Sequence, residues 1–273
     1  MELQNVVVIG GGVLGTQIGL MCAYTGHKVT FWLRSESSIG RTTPKIERYS
    51  GLMLQDLEAA KALIPNPVGK MLYPRGMIKA WDGITEEKID ELLKTGKENL
   101  KNNITIELDM AKALADADIV IESMSEDPDA KIACYEQMKD LLPEKTILVT
   151  NSSTMLPSRF AQHTGRPEKY LSLHFANTIW KNNTAEVMGH PGTDQAVYDK
   201  VVAFAADINM VPLKLHKEQP GYILNSMLVP FLSAAQELWA NEVADPETID
   251  LTWKLATSAP AGPFQVRSIV SGS

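Results

Sequence analysis

The sequence has little cysteine, no long apolar run and no surplus of positive charge. Only Cys22 and Cys134 occur among 273 residues. Two thiols make no disulfide framework, so a reducing cytoplasm is the expected compartment. Lys and Arg number 26 against 33 Asp and Glu, a formal charge of −7. That balance argues against general binding to nucleic acid or to an anionic membrane, yet leaves room for a local basic pocket around a phosphorylated ligand. Two uncharged stretches, 4–26 and 219–236, are broken by glycines or by Pro220 and Pro230, and neither reads as a membrane span. The start carries Glu2 and no basic residue, unlike a signal peptide. Repeats and low-complexity tracts are also lacking. What remains is ordinary globular composition, 44% hydrophobic and 22% charged, with enough apolar residues for a sizeable core in about two domains.

The patterning alternates strand and helix. Short β-branched runs at 6–9, 28–33, 104–108, 118–121, 146–150, 171–174 and 211–215 read as strands, with a further short one at 185–188. Helices are expected over 13–24, 128–142 and 194–206, the last capped by Thr193. This rhythm predicts an α/β fold: a Rossmann-type, doubly wound, mostly parallel sheet followed by a smaller all-α domain. The expected boundary separates 1–217 from 218–273, near the composition shift at Lys217 to Gly221. An excursion at about 36–100 interrupts the rhythm. It holds amphipathic helices at 46–63 and 86–100, joined by an irregular loop rich in Pro65, Pro67, Gly69, Pro74 and Gly76.

Gly10-x-Gly12-x-x-Gly15 joins the first strand to the first helix, which Val13 and Leu14 open. The first glycine permits a tight turn, the second lets a pyrophosphate approach, and the third lets helix and strand pack closely. Free N–H groups of the helix start then face the phosphates. At the end of the second strand, where an NAD site usually supplies a carboxylate for the ribose, stand Leu33, Arg34 and Ser35. Loss of the acid and gain of a guanidinium favour NADP(H), with NAD(H) as the alternative.

Further residues fall at the expected carboxyl ends of strands, where open α/β sheets bind ligands. These are Asn151-Ser152-Ser153 and His174. Glu186 follows far enough on for a turn to bring the next strand alongside, and Asn225 lies in the helical region. Oxidising a secondary alcohol removes a hydride and a proton. Histidine suits the proton, a carboxylate behind it stabilises imidazolium, and Ser and Asn donors can steady the developing carbonyl oxygen.

The segments Asp118-Ile-Val-Ile-Glu122-Ser, Thr150-Asn-Ser-Ser153, Leu173-His-Phe-Ala-Asn177, Glu186, Pro220-Gly-Tyr-Ile-Leu-Asn225 and Gly262-Pro-Phe264 occur in order along nearly the whole chain. Together with the glycine loop they resemble the 3-hydroxyacyl-CoA dehydrogenases. The resemblance implies that His174 is the base, that Glu186 orients it, and that Ser153 and Asn225 bind the substrate oxygen. It also implies that Glu122 and Asn177 lie near the nicotinamide end of the cofactor. The expected reaction interconverts a 3-hydroxyacyl-CoA and a 3-oxoacyl-CoA, and the expected assembly is a homodimer. Two departures stand out. Thr178 follows Asn177 where the family usually has proline, and Arg267 and Ser268 follow Gly262-Pro-Phe264 where it usually continues with an acid and a longer helical segment. The terminal domain is therefore expected to be shortened.

Rival readings are a dehydrogenase of a free 3-hydroxy acid, of the sugar-acid or carnitine type, and a non-catalytic dinucleotide-binding protein like the lens crystallins derived from this superfamily. Lys61, Lys70, Arg75 and Lys79 are candidates for CoA phosphates, against a default of a solvated face. The five histidines are scattered and lack metal-ligand spacing, so no metal is expected.

Overall fold

The computed structural model describes residues 3–66 and 76–271. Lys70 and Arg75, with Pro67, Gly69 and Pro74, lie outside the described residues. The described chain divides into two compact units, one within Met1–Glu218 and one within Gln219–Ser273.

The first unit is built on an eight-stranded sheet in the order β3-β2-β1-β4-β5-β6-β7-β8. Strands β1 (Asn5–Ile9), β2 (Lys28–Trp32), β3 (Ile104–Glu107), β4 (Ile119–Glu122), β5 (Ile147–Thr150) and β6 (Tyr170–Phe175) pair in parallel. Their order, 3-2-1-4-5-6, is that of a dinucleotide-binding doubly wound sheet. Strand β7 (Thr184–Met188) runs antiparallel to β6, and β8 (Val211–Leu215) parallels β7 at the edge. The edge position tolerates Pro212, which has no N–H to offer a further strand. Strands β4, β5 and β6 are buried at every position because helices cover both faces. One core gathers Val6, Val8, Ile18 and Phe31 on one side of the sheet, and another gathers Val7, Ile9, Tyr135 and Tyr170 on the other.

Helix α1 (Val13–Tyr24) follows the glycine loop and is buried almost throughout. The excursion differs from the sequence expectation at its start. Helix α2 runs from Glu36 to Ala59, so it begins ten residues before the expected 46 and carries Pro44 inside. Helix α3 is Glu86–Asn102, capped by the Thr85 hydroxyl. A short α4 (Met110–Leu114), started by the Asp109 carboxylate, had no counterpart in the expected pattern. Helix α5 (Pro128–Met138) has Pro128 in its first turn as expected, behind an Asp127 cap. Helix α6 is Gln195–Asp207. Its cap is Asp194, which accepts from Ala196 N–H and Val197 N–H, and not Thr193. The Thr193 hydroxyl instead donates to Tyr170 O and accepts from His190 N–H, tying the turn to β6.

The second unit holds α7 (Leu224–Ala240), α8 (Pro246–Thr257) and α9 (Pro263–Ser271). Gly262 is required there, since a Cβ would lie 2.4 Å from Asp250 Cα. That close approach lets the Asp250 carboxylate accept from Phe264 N–H at 2.8 Å and Gln265 N–H at 3.1 Å, capping α9 from the side of α8. Among the described residues no helix is long and apolar enough to cross a membrane.

Candidate active site

His174 and Glu186 stand directly opposite each other in the antiparallel β6–β7 pair. Opposed residues in such a pair project from the same face, so the register alone brings the side chains together. His174 Nδ1 lies 3.0 Å from Glu186 Oε2, and both residues are buried, at 5% and 3% exposure. A carboxylate at Nδ1 holds the proton there and leaves the ring's lone pair on Nε2.

Strand β5 delivers Asn151, Ser152 and Ser153 to the same carboxyl edge. Asn151 Oδ1 accepts from Phe175 N–H at 3.1 Å, joining this loop to the end of β6. Glu126, which the sequence reading passed over, clamps the loop. Its Oε1 accepts from Ser153 N–H at 2.8 Å and its Oε2 from the Ser152 hydroxyl at 2.7 Å. An exposed glutamate in a loop carries no sequence signal of such a role.

The glycine loop fits a dinucleotide. Gly10 has φ +107°, in the region that favours glycine, and a Cβ there would lie 2.8 Å from Ser123 O. A Cβ on Gly15 would lie 2.9 Å from Gly10 O, while one on Gly12 would meet nothing within 4 Å. Gly12 therefore faces open space where a phosphate can approach, just before Val13 and Leu14 open α1. A cavity of about 300 Å³ adjoins the loop, lined in part by Trp32, Arg34, Ser38, Arg41 and Lys45. Arg34 lines this cavity together with Gly10, Gly11 and Gly12. The Ser35 hydroxyl is turned to those of Ser37 and Ser38, each at 3.0 Å. A larger cavity of about 630 Å³, beside His190, Tyr198 and Lys214, lies where β7 and β8 end. Met188 pairs with Ser172 there, so it opens at the sheet edge away from His174.

Glu122 ends β4 at the carboxyl edge of the sheet. It is fully buried, and its oxygens accept from Lys131 Nζ at 2.6 Å, Met124 N–H at 2.7 Å, Thr150 Oγ1 at 2.7 Å and the Tyr135 hydroxyl at 2.8 Å. Burial first, then the neighbouring Tyr170 and Glu122, push the Tyr135 phenol well above its ordinary range, so it stays a donor. These donors use the carboxylate to bind the ends of β4 and β5 together.

Asn177 is exposed just after β6. Thr178 beside it has φ +58°, and its N–H donates to Gln17 Oε1 at 2.8 Å. Trp180 Nε1 donates to Asp56 Oδ2 at 2.8 Å, and Lys181 pairs with the same carboxylate, so α2 holds this loop. Asn225 lies in the first turn of α7 in the second unit. Among the candidate CoA-phosphate cations, Lys61 is paired with Asp90 at 2.6 Å and Glu58 at 2.8 Å, whereas Lys79 is exposed.

A family model described as 3-hydroxyacyl-CoA dehydrogenase, NAD binding domain, matches residues 74–219, and one for the C-terminal domain of the same enzymes matches 221–271. The chain belongs to the 3-hydroxyacyl-CoA dehydrogenase family. Its first domain is therefore a nicotinamide-dinucleotide-binding one. The mitochondrial hydroxyacyl-coenzyme A dehydrogenase of Rattus norvegicus is 28% identical over 98% of this chain and 76% of its own length. The 3-hydroxybutyryl-CoA dehydrogenase of Clostridioides difficile is 27% identical over 98% and 83%. A solved diketoreductase, described as acting on dicarbonyl compounds, is 41% identical over 99% of this chain and 84% of its own, with a TM-score of 0.79.

Proposed function

We propose that the chain interconverts a 3-hydroxyacyl-CoA and its 3-oxoacyl-CoA by hydride transfer, with His174 as general base. The observation that carries this reading is the buried His174–Glu186 pair, set by β6–β7 register at the ligand-binding edge. Glu186 stabilises the imidazolium that forms when Nε2 takes the hydroxyl proton. Ser153, held by Glu126, donates to the oxygen as it becomes a carbonyl. The role of Asn225 as a second donor rests on family membership alone. A nicotinamide held there would supply the hydride acceptor or donor. Gly10, Gly12 and Gly15, with the N–H groups of Val13 and Leu14, would hold its pyrophosphate, and Asn177 lies beyond the end of β6. NADP(H) is the favoured form, supported by Arg34 in the cavity beside the loop. Free, buried Cys22 and Cys134 support a reducing compartment, for which the cytoplasm is proposed. A homodimer is proposed from the exposed apolar side chains of the second unit, among them Met227, Trp239 and Leu255.

A second reading, reduction of a free dicarbonyl compound, is favoured by the 41% identity to the diketoreductase. Turnover of acetoacetyl-CoA against free acetoacetate, each with NADPH and NADH, separates the two. The first reading expects a higher kcat/KM for the thioester, and equal or reversed values would move the substrate to the second. Replacing His174 by Gln should lower turnover by roughly 10²–10⁴ with cofactor affinity nearly intact. Near-normal turnover in that folded variant would remove the base assignment.

A further inference from the structure

Ser38, Arg41, Thr42 and Lys45 recur at i, i+3, i+4 and i+7 of α2, which places them on one face of the helix. Thr42 sits against the glycine loop, close enough that a Cβ on Gly11 would lie 2.0 Å from its hydroxyl. Lys45 Nζ lies 3.2 Å from Gly11 O and 2.8 Å from Arg41 O. Arg41 Nη2 donates to Ser38 Oγ at 3.0 Å. This face and Arg34 line the same cavity of about 300 Å³, whose lining includes no carboxylate. Among the described residues none of Arg34, Arg41 and Lys45 makes an ion pair with an acid, in a chain whose formal charge is −7. A concentration of unpaired cations beside a phosphate-binding loop is arranged for more negative charge than a pyrophosphate brings.

We propose that Ser38 and Arg41 of α2, together with Arg34, form a site for a phosphomonoester on the 2′-oxygen of the adenosine ribose, with Lys45 between that group and the pyrophosphate. This rests on the NADP(H) reading above and adds the residues that enforce it. A 2′-phosphate carries about −1.5 to −2 charges at neutral pH, which two guanidinium forks can share. Lys45 is anchored on the glycine loop itself, so its charge acts on both phosphate groups.

The experiment is calorimetric titration with 2′,5′-ADP, 3′,5′-ADP and 5′-ADP, which needs no turnover. The unsubstituted protein should bind 2′,5′-ADP roughly ten- to a hundred-fold more tightly than 5′-ADP, with 3′,5′-ADP close to 5′-ADP. Arg41→Ala should remove most of that preference and leave 5′-ADP affinity unchanged, and Arg41→Lys should recover part of it, since charge returns without the fork. Lys45→Met should weaken both 2′,5′-ADP and 5′-ADP by a similar factor. The preference should shrink as salt is raised. A preference that survives Arg41→Ala but disappears in Arg34→Ala would overturn the α2 site and leave the NADP(H) reading standing. No preference for 2′,5′-ADP in the unsubstituted protein would overturn both. Equal binding of 3′,5′-ADP and 2′,5′-ADP would overturn the 2′ assignment and point to the 3′-phosphate of CoA.

Discussion

Lys131 has 1% of its side chain exposed, and its partner Glu122 has none. Removing one member of such a pair leaves an uncompensated buried charge. Lys131→Met should therefore cost about 3–5 kcal/mol of stability. In Lys131→Met with Glu122→Gln part of that loss should return, because Tyr135 and Thr150, which share Oε2, can still donate to the amide oxygen, while Met124 N–H, which bonds Oε1, loses its acceptor. Urea unfolding of both variants checks this, and an additive loss in the double variant would show the pair to be uncoupled. In the sequence Glu122 is singled out only by the family resemblance, which implies a place near the nicotinamide. Its partner stands nine residues on, in the next helix. No periodicity announces that a lysine will turn inward from that helix, whereas His174 and Glu186 announce themselves through strand ends and the family motif.

Strand β6 and helix α2 between them fix the 176–183 loop, and its most constrained position is Thr178. A β-branched residue at φ +58° is strained. Thr178→Gly should stabilise the protein by about 1 kcal/mol, the relieved strain being partly offset by the freer unfolded chain. Thr178→Pro, the family's usual residue, should cost ~3 kcal/mol or more, because proline fixes φ near −65° and loses the N–H bonded to Gln17. Thermal melts of the two variants decide the matter, and a proline variant as stable as the parent would mean the backbone there takes the family's usual course. The strands and most helices were legible because apolar runs and capping residues punctuate them. The first turns of α2 were not. Ser35, Ser37, Ser38, Gly40 and Pro44 are poor helix formers, yet Met53 and Leu57 further along pack the helix into the core. That stretch carries Arg41 and Lys45, so beyond the glycine loop the ribose side of the cofactor site is legible only through Leu33, Arg34 and Ser35. Thr193 and Asp194 are both residue types that suit a cap, and their contacts distinguish them: Asp194 accepts from the helix N–H groups, while the Thr193 hydroxyl turns to Tyr170 O.

At the scale of the whole molecule, the second unit leaves Met227, Val229, Trp239, Val243, Leu251 and Leu255 exposed, Leu255 by 74%. Soluble monomers seldom leave large contiguous apolar patches open. The proposed homodimer should appear as twice the chain mass of 30.0 kDa in sedimentation at micromolar concentration. Leu255→Glu should shift that equilibrium toward the monomer while leaving helix content unchanged. A monomeric parent protein would exclude the dimer.

The proton-transfer pair has one further consequence. His174 and Glu186 face each other on one rung of the β6–β7 ladder, and the turn joining the two strands carries Asn177, Thr178 and Trp180. The ladder sets the distance between acid and base whatever the turn contains. Substrate choice, to the extent that the turn governs it, is thereby uncoupled from the chemistry. An exchanged turn alters which molecule is accepted without retuning the step performed on it, so one scaffold can diversify its diet and keep its reaction.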